Sequence, residues 1–262
     1  TWAPQLEAVA RIASSEERIA QYTRLLEHAL HDTPSASLPS LVRTYVDGAV
    51  LDPVNTTGAG LLVGRHMLAH LATQLAAAHI PANILCTIVS DTLATCEASS
   101  IMGDDELGPW RVLLAEQYAS LSRWRDAAQA LQSITPHAAR RIPQLSFAQL
   151  CVRVVELWLH DLPSHVAEAE QAIKRANSAI LEERDNKALV HELWSYHARV
   201  LAIQHRFMEA AARYMDLPHA DMYAAVYAII SPPSAQRTSM LTRLAQQASA
   251  WPFAQTLHHA AE

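Results

Sequence analysis

Glycine is scarce in this chain of 262 residues. There are six, Gly48, Gly58, Gly60, Gly64, Gly103 and Gly108, and none follows Gly108. A β-sandwich or a dinucleotide-binding sheet needs glycine at turns and bulges, so this distribution argues against both. Basic excess is also lacking. The net charge is −6 and the arginines are scattered, with Arg123/Arg125 and Arg140/Arg141 the closest pairs. Nothing in that pattern suits a nucleic-acid backbone. Cysteine is limited to Cys86, Cys96 and Cys151, an odd number without metal-site spacing, which reads as buried free thiols in a reducing compartment. No apolar run approaches the roughly eighteen residues of a membrane span. The opening TWAPQLEAVA has no basic segment leading into an apolar one, so no signal peptide is expected; it also lacks methionine, so the natural start is expected upstream.

What remains is a helix-forming composition. Half of the residues are hydrophobic, enough for a large core. Alanine, leucine, glutamine, glutamate and arginine dominate, all good helix formers. Ser14 and Glu17 fit a capping box, predicting a helix from there to about His31. DTPSAS breaks it; a second helix is expected over about Ser37 to Val50, ended by LDPVN. A long one follows from about Thr57 to Ala78, and Pro81 opens another to about Ser100. Beyond the repetitive region described next, helices are expected over about His219–Ile230 and Ser234–Ser249, separated by SPPS, with a last segment starting at Trp251 and Pro252.

From Asp104 the pattern repeats. In RFMEAAARYMDL (Arg206–Leu217), Phe207 and Tyr214 stand two helical turns apart, with Ala210 and Ala211 between them on the same face. YASLSRWRDAAQALQSI, from Tyr118, aligns Trp124 with Phe207, Ala127 and Ala128 with the two alanines, and Leu131 with Tyr214. A weaker middle copy, HVAEAEQAI, places Val166, Ala169 and Ile173 at matching positions. Each copy reads as a longer helix, a tight turn and a shorter alanine-rich helix. A period near 40 in helical pairs marks an α-solenoid. The expected fold is all-α, a right-handed solenoid of antiparallel TPR/HEAT-like helix pairs. It divides into an N-terminal helical arm over 1–103 and the repeats over 104–262. The alanines are where neighbouring helices approach closely.

Candidate sites are few. GAGLLVG (Gly58, Gly60, Gly64) resembles a phosphate loop, but the dinucleotide fingerprint needs a preceding strand and a different third-glycine position. Small residues at a packing contact is the reading adopted. His66 and His70 share a helix face, a possible metal pair without an evident third ligand. His258 and His259 point apart on a helix, toward solvent. Asp104, Asp105 and Glu106 fall at a helix start, where negative charge offsets the helix dipole. No nucleophile–base arrangement is visible. No catalytic, cofactor-binding or metal residue is therefore assigned, and no cofactor is expected.

YHARVLAIQHRFMEAAARYMDL (Tyr196–Leu217) resembles the signature stretch of the COP9 signalosome subunit 4 family. LAEQYASLSRWRDAAQALQSI (Leu114–Ile134) and VAEAEQAIKRAN (Val166–Asn177) resemble its other repeats. YTRLLEHAL (Tyr22–Leu30) and QRTSMLTRL (Gln236–Leu244) match flanking helices, and the likeness is weakest between about Asp32 and Gly103. The related subunit of the proteasome lid shares this plan. The resemblance implies a PCI-domain scaffold subunit, with a helical-repeat arm followed by a winged helix and a long C-terminal helix; the chain is expected to stop before the winged helix. It implies no catalytic residue here, since a different, zinc-bearing subunit removes the ubiquitin-like modifier from cullins. It also implies the other signalosome subunits and a cullin–RING ligase as partners, with no nucleic acid or membrane, a monomeric chain in isolation, and a cytoplasmic and nuclear location. The partner-binding face is not given by the sequence. A free-standing helical-repeat adaptor is the other class of protein compatible with it.

Overall fold

A computed structural model describes residues 2–142, 145–183 and 185–247. Among the described residues the regular structure is helical, with no strand. The chain divides into two compact units, Thr1–Phe147 and Ala148–Glu262.

The first unit begins with α1 (Ala3–Ala10), which has proline in its first turn, and α2 (Ser15–Asp32). The Ser14 side chain accepts from the Glu17 N–H, as the capping pattern predicts. A short 3₁₀ turn leads into α3 (Leu38–Tyr45), which continues as one π-helical segment over Val46–Val50. Asp52 caps α4 (Pro53–Thr56), accepting from Val54 N at 2.8 Å. The long helix expected from Thr57 starts later, as α5 (Leu61–Ala77), because residues 58–60 form a 3₁₀ turn. α6 (Ala82–Ser99) follows Pro81. α7 (Asp104–Ser120), α8 (Trp124–Gln132) and the short α9 (Pro136–Ala139) complete the unit. Its core is assembled from apolar stripes, with Leu26, Met67, Leu68, Leu71, Leu75 and Trp110 fully buried. A polar thread runs through it. Asn55 is fully buried and donates to Tyr22 Oη at 3.3 Å and to Ala49 O at 3.0 Å, tying α2 to the π segment.

The second unit holds α10 (Phe147–Leu159), α11 (Val166–Ile180), α12 (Lys187–Ile203), α13 (Phe207–Met215), α14 (Asp221–Ile230) and α15 (Ala235–Gln247). α14 starts two residues later than expected because His219 adopts a left-handed conformation, φ 59°. Ser249, Trp251, Pro252, His258 and His259 lie outside the described residues. α12, α13 and α14 meet through methyl groups, with Ala198, Ala211, Ala224 and Ala228 fully buried in one cluster.

The three-fold alignment holds residue by residue. Trp124, Val166 and Phe207 are each half-buried. Ala127, Ala169 and Ala210 are fully buried, and Leu131, Ile173 and Tyr214 are buried. The middle copy departs in having Glu170 where the outer copies have Ala128 and Ala211, and in its helix lengths. Its second helix, at 15 residues, is longer than its first, at 13, against 17 followed by 9 in the outer copies. The stripe Ala169, Ala172, Ile173, Ala176, Ile180 keeps helical spacing over the extra turns, so nothing stops α11 where α8 and α13 stop.

Cys86, Cys96 and Cys151 are buried free thiols. Burial pushes Cys96 and Cys151 up to about 11, with Glu97 and Asp47 adding to the effect at Cys96 and Arg175 opposing it at Cys151. Cys86 is raised by burial against the pull of Arg123. The nucleophilic thiolate is therefore suppressed near neutral pH. Thiol-reactive chromophores at pH 8 should label none of the three until denaturant is added; rapid stoichiometric labelling of the native chain would contradict this burial. Ala211→Trp should overpack the methyl seam and cost about 1–3 kcal/mol or more. Because Phe207 is only half-buried, Phe207→Ala should cost less than a full core truncation, about 1–2 kcal/mol. Urea unfolding of the two variants checks both the size and the order of the effects.

Candidate interaction surface

The first and third repeat turns are built the same way. In the first, Ser122 takes φ 58° and the Arg123 N–H donates to Tyr118 O at 2.8 Å, closing α7 as α8 opens. In the third, His205 takes φ 60° and the Arg206 N–H donates to Leu201 O at 2.9 Å. The arginine then reaches forward three residues, Arg123 Nε to Asp126 Oδ2 at 2.7 Å and Arg206 Nε to Glu209 Oε1 at 2.8 Å. Arg206 holds the Glu209 carboxyl below its ordinary range, chiefly by hydrogen bonding. The middle copy substitutes histidine. His165 lies 3.4 Å from Glu168 Oε1, 3.1 Å from Asp161 Oδ2, and against the Trp158 ring at 5.4 Å. This basic–x–x–acidic pairing, 123/126, 165/168 and 206/209, is present in the sequence at constant register and is the signal the helix-face alignment overlooked.

The acidic triplet at the start of α7 does more than offset a dipole. Glu106 Oε2 accepts from the Gly103 N–H at 2.9 Å, while its Oε1 faces Arg65 of α5 at 3.1 Å. Asp105 faces His137 of α9 at 3.1 Å and Arg141 at 3.5 Å. Arg111 bridges Glu97 of α6 and Asp104, each at 3.1 Å, and reaches Ser133 O at 3.4 Å beyond α8. One helix end thus ties four other segments of the first unit together.

The remaining sequence candidates resolve as packing or separate surface groups. A side chain at position 60 would place its Cβ 1.8 Å from Val54 O, and one at 64 would come within 2.7 Å of Val50 O. GAGLLVG therefore lets α5 press onto the backbone of residues 50–55, as a small-residue contact should. His66 is exposed and His70 half-buried. Among the described residues no group of three or more His, Cys, Asp or Glu could hold a metal ion, and no helix is long and apolar enough to cross a membrane.

The most distinctive surface is on α14. Met222, Tyr223, Val226 and Ile230 are about half exposed and fall along one side of the helix. Beside them runs a ladder of rings shared with α13: Phe207 on Tyr227 at 6.3 Å, Tyr227 on Tyr214 at 5.5 Å, Tyr214 on Tyr223 at 5.4 Å, with interplanar angles of 15°, 4° and 27°. Burial raises the Tyr214 pKa, so that phenol stays neutral near neutral pH. No Asp, Glu, Lys or Arg occurs from Met222 to Gln236. Such a face suits contact with another apolar surface.

Among the described residues the chain is thus an all-helical repeat protein with an exposed apolar face and ion-paired turns. Comparison with known proteins sharpens this. The chain is 28% identical over 258 residues to COP9 signalosome complex subunit 4 of Caenorhabditis elegans, covering 90% of this chain and 61% of that protein. It is 25% identical over 210 residues to the subunits of the same name from Arabidopsis thaliana, covering 80% and 49%, and Drosophila melanogaster, covering 78% and 48%. The resemblance read from the sequence motifs thus extends over most of the chain, which spans about half to three-fifths of these relatives' length. No protein-family profile matches it.

The α7 hub gives a direct test. Glu106→Ala removes the cap on Gly103 and the partner of Arg65, and should destabilise the first unit by about 1–3 kcal/mol. Glu106→Gln keeps a capping oxygen and should lose less; equal losses in urea melts would mean that the cap contributes nothing.

Proposed function

We propose that this chain is a non-catalytic scaffold subunit of the COP9 signalosome, supporting cullin deneddylation by helping to engage cullin–RING ubiquitin ligases. The observation that carries this reading is the similarity, along 90% of the chain, to a protein named as subunit 4 of that complex. The helical repeats support it, since stacked helix pairs present extended surfaces to partners. The proposed partners are the other signalosome subunits and a cullin–RING ligase, and the proposed location is the cytoplasm and nucleus. Chemistry is assigned to another subunit, and this chain contributes contact area and position.

Affinity capture of the tagged chain from its own cells tests the reading. Signalosome subunits should co-elute, and depletion should leave cullins in their modifier-conjugated form. Co-elution with proteasome-lid subunits would favour the related lid scaffold. Unchanged cullin conjugation with neither complex captured would point to a free-standing adaptor. Added alone to a conjugated cullin, the purified chain should release no modifier.

A further inference from the structure

α14 turns its smallest side chains inward and its largest outward. Ala224, Ala225 and Ala228 are buried in one cluster with Leu241, Leu244 and Ala245 of α15. On the opposite side Met222, Tyr223, Val226 and Ile230 are each about half exposed. A helix that is apolar all round belongs between neighbours, and among the described residues this one is covered on its alanine side.

Size and charge narrow what covers the outer face. Four half-exposed side chains of this kind leave roughly 400 Å² of apolar surface, about half of the 800 Å² or so that each protein gives to a stable complex of separate molecules. A segment of the same chain needs less area, because the covalent link keeps its local concentration high. One such segment follows α15 directly. Residues 248–262 lie outside the described residues, and their sequence is ASAWPFAQTLHHAAE. Over 248–257 it holds no acidic, basic or histidine residue, and Trp251, Phe253 and Leu257 supply large apolar groups. The face is equally free of charge over 222–236. Reach is also favourable. α15 starts beside the end of α14, where Arg237 donates to Ala228 O at 3.2 Å and to Ile229 O at 3.4 Å. The shared cluster then runs α15 back along α14. At about 1.5 Å per residue, Arg237 to Gln247 rises about 15 Å and Ile229 back to Asp221 about 12 Å, so α15 ends level with the start of α14. Residues 248–250 can extend about 10 Å, enough to cross the usual 8–10 Å between helix axes.

We propose that residues 251–257 pack on the outer face of α14, with Trp251, Phe253 and Leu257 covering Met222, Tyr223, Val226 and Ile230. The contact is held by apolar burial, since neither side carries charge. It lies within one chain and does not rest on the scaffold reading. A second copy of the chain and a separate partner protein are the competing occupants.

Two measurements on the whole chain test this. Chymotrypsin should cleave after Phe253 slowly in the wild-type chain and about tenfold faster or more in Val226→Asp, which sets a carboxylate in the contact from an exposed position. Equal rates would overturn the proposal. In dilute solution under mild oxidation, Val226→Cys with Phe253→Cys should form an intramolecular disulfide, the three native thiols being buried. The control pair, Lys174→Cys with Phe253→Cys, places its first thiol on the exposed side of α11 and should react far more slowly. No difference between the pairs would sink the contact. Disulfide-linked dimers through position 226 would assign the face to a second copy. A photo-cross-linker at 226 that captures a different polypeptide in cells, in place of residues 251–257, would assign it to a partner. Either result overturns the proposal. None of these readouts depends on signalosome capture, so the contact and the scaffold reading can fail separately.

Discussion

Close approach of helices through single methyl groups is the constraint on which the second unit depends. Ala198, Ala211, Ala224 and Ala228 admit neighbouring backbones that any larger side chain would hold apart. With helices this near, the longer side chains must find room at the margins of the seam, and the parallel rings of Phe207, Tyr227, Tyr214 and Tyr223 fill one margin. Bulk at the ends and methyls in the middle are two aspects of one packing solution.

The first unit is organised differently. Its stripes are rich in leucine, methionine and valine, and its polar groups gather at two places, the Tyr22–Asn55 thread and the start of α7. The α7 hub links α5, α6 and α9 to a helix end whose backbone N–H groups already favour negative charge. Dipole, cap and ion pairs reinforce one another there. Leu107, Trp110 and Leu114, immediately beyond the hub, are buried.

Much of this was legible from residue types alone. Ser14 announced α2, Pro81 announced α6, and the alanine pairs gave the repeat register, because caps, breakers and small residues act locally. The short α1, α4 and α9 were not foreseen, since four to eight residues carry too little periodicity. That Phe207 is only half covered was not legible, because hydrophobic type does not say how much of a ring its neighbours cover. The apolar face of α14 was hidden for a related reason: DMYAAVYAII is apolar on nearly every side, so the sequence does not show which side stays uncovered. The turn pairs at 123/126, 165/168 and 206/209 were visible and unread. Acidic residues three positions into a helix are common, and only the shared left-handed residue before Arg123 and Arg206 marks those two as the same structure.

The tight turns at His205 and His219 have a kinetic consequence. They bring helices together that are also consecutive in the chain, so α12 can find α13, and α13 can find α14, after closing a loop of only a few residues. Search time in folding grows with the sequence distance between partners, and here that distance is small. The first unit must join α2 to α5 and α3 to α6 across intervening segments. Emerging from a ribosome, the second unit can therefore zip up pair by pair as it appears, whereas the first must wait for distant partners before its core can close.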